Sequence, residues 1–140
     1  MRLSKDSVKD IIELLKEHNS YLTEEMLDKY CNVDEPVSPS THIYGYYDNG
    51  ELVSIMTATF CFVFPHKDSP SGRIVQISGA YTKEEYRHRK LASMLLHDIE
   101  EDAKLYFDAD YLCCDSTADN LYLSSGFEES SESRLWKKLK

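Results

Sequence analysis

Tyr86-Arg87-His88-Arg89-Lys90-Leu91-Ala92 is the stretch on which the reading of the fold turns. It is a densely basic run in an acidic chain, and it lies where strand composition gives way to helical periodicity. Upstream, Arg73 to Tyr81 has strand composition, with Gly79 near its end marking a bulge or a close backbone approach. Downstream, Leu91, Leu95, Ile99 and Ala103 recur at helical spacing beside Met94 and predict a helix over about 88–106. Ala109 to Asp115 is a compact apolar strand, so 73–115 reads strand, helix, strand, the pattern of a parallel crossover. In such sheets ligands favour the C-terminal ends of strands. The first N–H groups of a helix have no internal partner and carry partial positive charge, so this junction suits a pyrophosphate. A merely solvated helix start is the weaker reading, because cations there oppose the helix dipole.

Working outward, Val8, Ile11, Ile12 and Leu15 place an apolar stripe on a helix over about 5–18. Thr23 is an N-cap for a second short helix running to about Cys31, its Glu24 and Glu25 suiting the helix N-terminus. Residues 42–47 and 51–64 are rich in Tyr, Ile, Val, Thr and Phe, and flank Asp48-Asn49-Gly50, a hairpin turn that calls for positive φ. After the strand ending at Asp115, a short helix from Asp119 to Ser125 is closed by Gly126, and Phe127 and Leu135 to Leu139 suggest final strands. Met1 to Leu3 is at most a strand stub.

Composition bounds the function. A chain of 140 residues, 41% hydrophobic and 29% charged, fits one soluble domain spanning 1–140, with no apolar run long enough to span a bilayer. The formal net charge of −9 repels phosphate backbones, which argues against a nucleic-acid partner. The N-terminal residues lack the apolar stretch of a secretory signal, so a cytoplasmic location is expected. Cys31, Cys61, Cys113 and Cys114 read as reduced, mostly buried thiols; Cys113 and Cys114 point to opposite strand faces, against an acyl-cysteine pair. His42, His66, His88 and His97 have no metal-ligand spacing, and no metal is expected. Tyr44, Tyr46 and Tyr47 are core or pocket residues of the hairpin, with core the commoner meaning.

The segment from Arg87 to Ala92 resembles the Q/R-x-x-G-x-G/A acetyl-CoA signature of the Gcn5-related N-acetyltransferases (GNAT), with Lys90 in the central glycine slot. Thr82 to Leu96 is similar to that family's fourth strand and third helix, and Leu121-Tyr122-Leu123-Ser124-Ser125-Gly126-Phe127 to its Leu-Tyr-x-x-x-Gly-Phe segment. Element order matches from about Thr41 to Phe127, with two helices ahead of it. The resemblance implies an α/β (or α+β) fold, a central mixed, mostly antiparallel sheet with helices on both faces. It implies acetyl-CoA as cosubstrate, gripped by Ala80, Tyr81, Thr82, Arg87, His88, Arg89, Lys90, Leu91, Ala92 and Ser93. The reaction implied is transfer of an acetyl group to a primary amine of a small-molecule or peptide acceptor, and homodimers are frequent in the family.

By the same resemblance Tyr122 stands where a tyrosine donates a proton to the leaving thiolate; packing on a short helix is the equal alternative. Gln76 stands where some members carry a carboxylate base, and it cannot accept a proton usefully. Water relayed to Glu84, Glu85, Asp115 or a hairpin histidine is left as the base, with none singled out. Lys90 and Gln76 also motivate a catalytically silent acyl-CoA-binding or protein-interaction domain. Transfer of a longer acyl group, or to a hydroxyl, uses the same grip.

Overall fold

The computed structural model describes residues 1–32, 37, 39–114, 119–128 and 137. The N-terminal amphipathic stretch opens as a 3-10 turn, Lys5–Ser7, and continues as helix α1, Val8–Leu15. It ends earlier than its periodicity predicts because the His18 and Asn19 amides both fold back onto the Leu15 carbonyl, at 2.9 and 2.8 Å. Helix α2, Glu24–Asp28, is capped by the Thr23 hydroxyl, which accepts from the Met26 amide at 3.3 Å. Past Asp28 the chain tightens, with Tyr30 N–H on Leu27 O and Cys31 N–H on Asp28 O, so the helix stops short of Cys31.

Strands β1, Ser40–Asp48, and β2, Glu51–Phe62, form the hairpin. Its turn takes consecutive left-handed residues, Asn49 at φ 49° and Gly50 at φ 79°, the twist that matches paired strands. Strand β3, Arg73–Thr82, pairs antiparallel to β2, and strand β4, Tyr111–Cys114, pairs parallel to β3. The order is β1-β2-β3-β4, mixed and mostly antiparallel. The N-terminal stub is a single bridge, Arg2 to Tyr44, flanked by Leu3 N–H on Ile43 O at 2.7 Å.

Helix α3, Leu91–Tyr106, is the crossover between β3 and β4. It starts later than the expected residue 88, for a stereochemical reason. His88 and Lys90 sit at φ 64° and 62°, which a right-handed helix cannot contain. Strand β4 is likewise shorter than the predicted 109–115. Ala109 N–H returns to Ala103 O, and the Asp110 carboxylate is spent on the preceding loop, accepting from Ser69 Oγ, Ser71 Oγ and Ser71 N–H at 2.8, 2.7 and 3.0 Å. Those hydroxyl bonds, from Ser71 first and Ser69 next, hold the Asp110 carboxyl below its ordinary pKa. Asp115 lies outside the described residues.

Helix α4, Asp119–Ser124, is closed by Gly126 at φ 93°. Phe127 is not in a strand: its N–H is used on Tyr122 O at 3.0 Å, and its ring packs on Tyr122. The strand expected at Leu135 to Leu139 falls on residues of which only Lys137 is described.

Alternation along the strands divides the core in two. Tyr44, Met56, Ala58, Phe60, Val75 and Ile77 face Leu95, Leu96, Ile99 and Ala103 of α3. Ile43, Leu52 and Ile55 face Val8, Ile11 and Leu14 of α1 and Leu27 of α2. The buried Tyr44 hydroxyl donates to Asp102 of α3 at 2.7 Å, tying helix to sheet. Helices thus cover both faces. The thiols are less buried than expected: Cys31 is in the core, its pKa pushed up to about 11 by burial, whereas Cys61, Cys113 and Cys114 are half-exposed. Among the described residues, no helix is long and apolar enough to cross a membrane.

Candidate active site

The site is built on the C-terminal half of β3. Pairing with β4 runs from Ile74↔Tyr111 to Ile77↔Cys114 and, among the described residues, goes no further, although β3 continues to Thr82. Ser78, Gly79 and Ala80 are exposed. On the other side β2 stays paired, but the register slips: Thr57 faces Ser78 and Ile55 faces Tyr81, leaving Gly79 and Ala80 together opposite Met56. This is the bulge expected at Gly79, whose φ of 60° suits a residue without a Cβ. A bulge at this place re-aims the following backbone, which among the described residues has no strand on its far edge.

Thr82 leads through Lys83 into a 3-10 turn, Glu84–Tyr86, and then the basic loop. Arg87 Nε donates to Thr82 O at 3.0 Å, and its guanidinium lies 6.0 Å from the Tyr81 ring centroid, so Arg87 ties the loop back to β3. Arg89 lies over the Tyr86 ring at 5.0 Å. The Tyr86 phenol bonds to Asp48, which raises its pKa. Lys90 precedes the first helical residue in the left-handed conformation and makes no side-chain cap. A lysine therefore adopts the backbone of the glycine slot, at a cost of about 1–2 kcal/mol relative to a relaxed residue.

The first backbone bond of α3 is Met94 N–H to Lys90 O, at 3.0 Å, so the amides of Leu91, Ala92 and Ser93 have no partner inside the helix. Ala80, Tyr81, Thr82, Arg87, His88, Arg89, Lys90, Leu91, Ala92 and Ser93 are thus gathered in one place. It combines a strand edge left open among the described residues with a helix start whose first amides have no partner within the helix and which cations surround.

Tyr122 stands apart from that group, on α4, with 6% of its surface exposed. It belongs to the α3-side core and contacts Phe127 edge-on at 5.3 Å. Burial, and secondarily the Cys114 thiol, raises its pKa. Gln76 lies on the opposite face, between Thr59 of β2 and Cys113 of β4. Glu84 and Glu85 occupy the turn beyond the end of β3. His42, the histidine within the hairpin, is buried against Phe60 and bonded to Ser40, a core residue. Tyr44 is core, while Tyr46 and Tyr47 pack at opposite faces of the sheet.

Sequence reasoning missed His18. Its ring packs on Tyr81 at 4.7 Å, which brings an imidazole from the α1–α2 connection onto the strand that carries the free edge. No local pattern announces this, since the contact joins residues distant in sequence. Among the described residues, no three His, Cys, Asp or Glu converge as metal ligands.

Residues 8–127 match the Acetyltransferase (GNAT) family, and the chain belongs to that family. Its fold is shared with solved structures of low sequence identity. An aminoglycoside 6'-N-acetyltransferase from Acinetobacter haemolyticus superposes with a TM-score of 0.72 at 20% identity, covering 100% of this chain and 97% of that one. A ribosomal-protein-alanine N-acetyltransferase from Brucella melitensis gives 0.74 at 14%, covering 100% and 97%. A predicted acetyltransferase from Clostridium acetobutylicum, solved with acetyl-CoA, gives 0.75 at 16%, covering 100% and 94%. No curated protein matches the chain.

Proposed function

We propose that residues 1–140 act as one domain, a cytoplasmic acetyl-CoA-dependent N-acetyltransferase that acetylates a primary amine. The observation that carries this reading is the stretch Ser78 to Thr82, which among the described residues is paired only with β2, is exposed at Ser78 to Ala80, and leads into a helix start whose first three amides have no partner within the helix. The residues present fit acetyl-CoA. The amides of Leu91, Ala92 and Ser93 would hold the pyrophosphate, with Arg87, His88, Arg89 and Lys90 around it. The backbone of Ala80, Tyr81 and Thr82 would pair with the pantetheine arm as an added strand would.

When bound, acetyl-CoA supplies the acyl group as an activated thioester. The chain's own part is electrostatic and positional. Backbone N–H groups after the bulge present donors where charge develops on the acyl oxygen, in a fixed frame that needs no reorganisation. Tyr122 Oη, a phenol and so protonated at neutral pH, with its pKa raised further by burial, serves as the acid for the departing sulfur. Gln76 accepts no proton, so the acceptor amine loses its own to water or to an imidazole such as His18. The named relatives act on an aminoglycoside and a ribosomal-protein alanine, which supports a small-molecule or peptide amine as acceptor.

Calorimetric titration with acetyl-CoA and CoA tests the reading. Wild type binds both, and Arg87→Ala weakens binding by about 10-fold or more, the worth of a charged hydrogen bond. Unchanged affinity in an Arg87→Ala/Arg89→Ala double variant overturns the site. Thiol release against aminoglycosides, polyamines and peptide N-termini then identifies the acceptor. There Tyr122→Phe lowers kcat by about 100-fold with KM for acetyl-CoA unchanged, whereas equal rates return Tyr122 to packing. Tight binding with no turnover on any amine favours a silent acyl-CoA-binding domain, the reading that Gln76 supports.

A further inference from the structure

We propose that Thr57 and Ser54, two hydroxyl residues of β2, are positioning residues that aim the backbone amides of the β3 bulge at the thioester carbonyl. The inference rests on the acetyl-CoA reading of this site. Beyond Ile77, β2 is the one strand paired to β3 among the described residues, so the orientation of the Gly79 to Thr82 peptides is set from that side. A bulge interrupts the ladder and leaves peptide groups in need of other partners.

Two side-chain bonds bracket the interruption. Before it, the Thr57 hydroxyl donates to Ser78 O and also lies 3.0 Å from Ser78 Oγ. After it, Ser54 Oγ lies 2.7 Å from Thr82 Oγ1, and Lys83 N–H closes the segment on Val53 O at 2.9 Å. Thr57 touches the kink itself: a Cβ placed on Gly79 would meet Thr57 Oγ1 at 3.2 Å. Ser54 and Thr57 are separated by an odd number of positions on one strand, so the two bonds grip the segment from opposite faces of the sheet.

Ser54 is fully buried, where an apolar side chain would otherwise be favoured and an unpaired hydroxyl would be costly. Its pairing with Thr82 accounts for it. Together the two bonds brace a short strand segment that, among the described residues, is paired with β2 alone. Transition-state donors require that property, because they work by being aligned beforehand.

The test reads the carbonyl directly and needs no acceptor. Infrared difference spectra of [1-13C]acetyl-CoA bound to wild type show the carbonyl stretch lowered from its value in solution. In Thr57→Val the stretch returns toward the solution value. The preference for acetyl-CoA over CoA then falls by about 5-fold, the equivalent of one neutral hydrogen bond, while affinity for CoA and the thermal midpoint hold. Thr57→Ser restores both readouts, and Ser54→Ala shifts them in the same direction as Thr57→Val. A wild-type carbonyl frequency and preference in Thr57→Val overturns the inference. So does a variant that loses CoA and acetyl-CoA affinity equally along with its melting temperature, since that marks plain scaffolding. Wild type that binds neither compound sinks the acetyl-CoA reading itself, and this inference with it.

Discussion

The two halves of β3 are one continuous strand put to opposite uses. From Arg73 to Ile77 it is paired on both edges, and Ile74, Val75 and Ile77 are buried. From Ser78 to Thr82 it is paired, among the described residues, on one edge only, and its first three residues are exposed. The first half sends Val75 and Ile77 into the α3-side core; the second carries a glycine kink among small or polar residues, apart from Tyr81, which packs against the α1-side core. An open strand edge inside a sheet normally invites pairing with another chain. Here the segment is short and bulged, and it leads through the Glu84–Tyr86 turn into the basic loop. The contrast teaches that one strand can serve the core at one end and present a candidate binding edge at the other.

Breaking the closed half has the largest effect. Ile77→Ala removes a side chain with 2% exposure that packs under α3. It should lower unfolding free energy by about 2–5 kcal/mol in urea titrations. Ser78→Ala, one residue on, should stay within about 0.5 kcal/mol of wild type, as surface changes do. Equal losses at the two positions would mean that the strand is one stability unit and that the open half is covered in solution.

Lys90→Gly sharpens the comparison from the loop side. Relief of the left-handed backbone at φ 62° is partly offset by the entropy of a new glycine, leaving a gain of about 0.5–1 kcal/mol by thermal melting. If CoA affinity also holds in that variant, the lysine serves the backbone slot alone; a weaker affinity assigns its ammonium a phosphate contact.

Legibility in the sequence followed the range of the interaction. The hairpin, with Asn49-Gly50 at its turn, and α3, with its apolar residues at helical spacing, are local patterns, and both formed as expected. Gly79 marked its bulge because only a residue without a Cβ sits comfortably there. The helix boundary at Leu91 was misplaced because Arg, His and Lys all have adequate helix propensity, and nothing local reveals that His88 and Lys90 turn left-handed. The resemblance to the family pointed to that kink through its glycine slot, where this chain has lysine. The half-exposure of Cys61, Cys113 and Cys114 was not legible either, since it depends on what packs over each thiol rather than on the residues beside it.

What the amino-acid sequence determined by itself was the order of elements, the two apolar faces and the cluster of cations at one strand-to-helix junction, because each is written in neighbouring residues. Only the tertiary structure decided how β2 and β3 slip in register at the bulge and which hydroxyls of β2 bond on either side of it. It alone placed His18 on Tyr81 and Tyr122 in the core. Those are meetings of segments distant in the chain, and they exist only once the cores on both faces of the sheet have closed and set the strands in register.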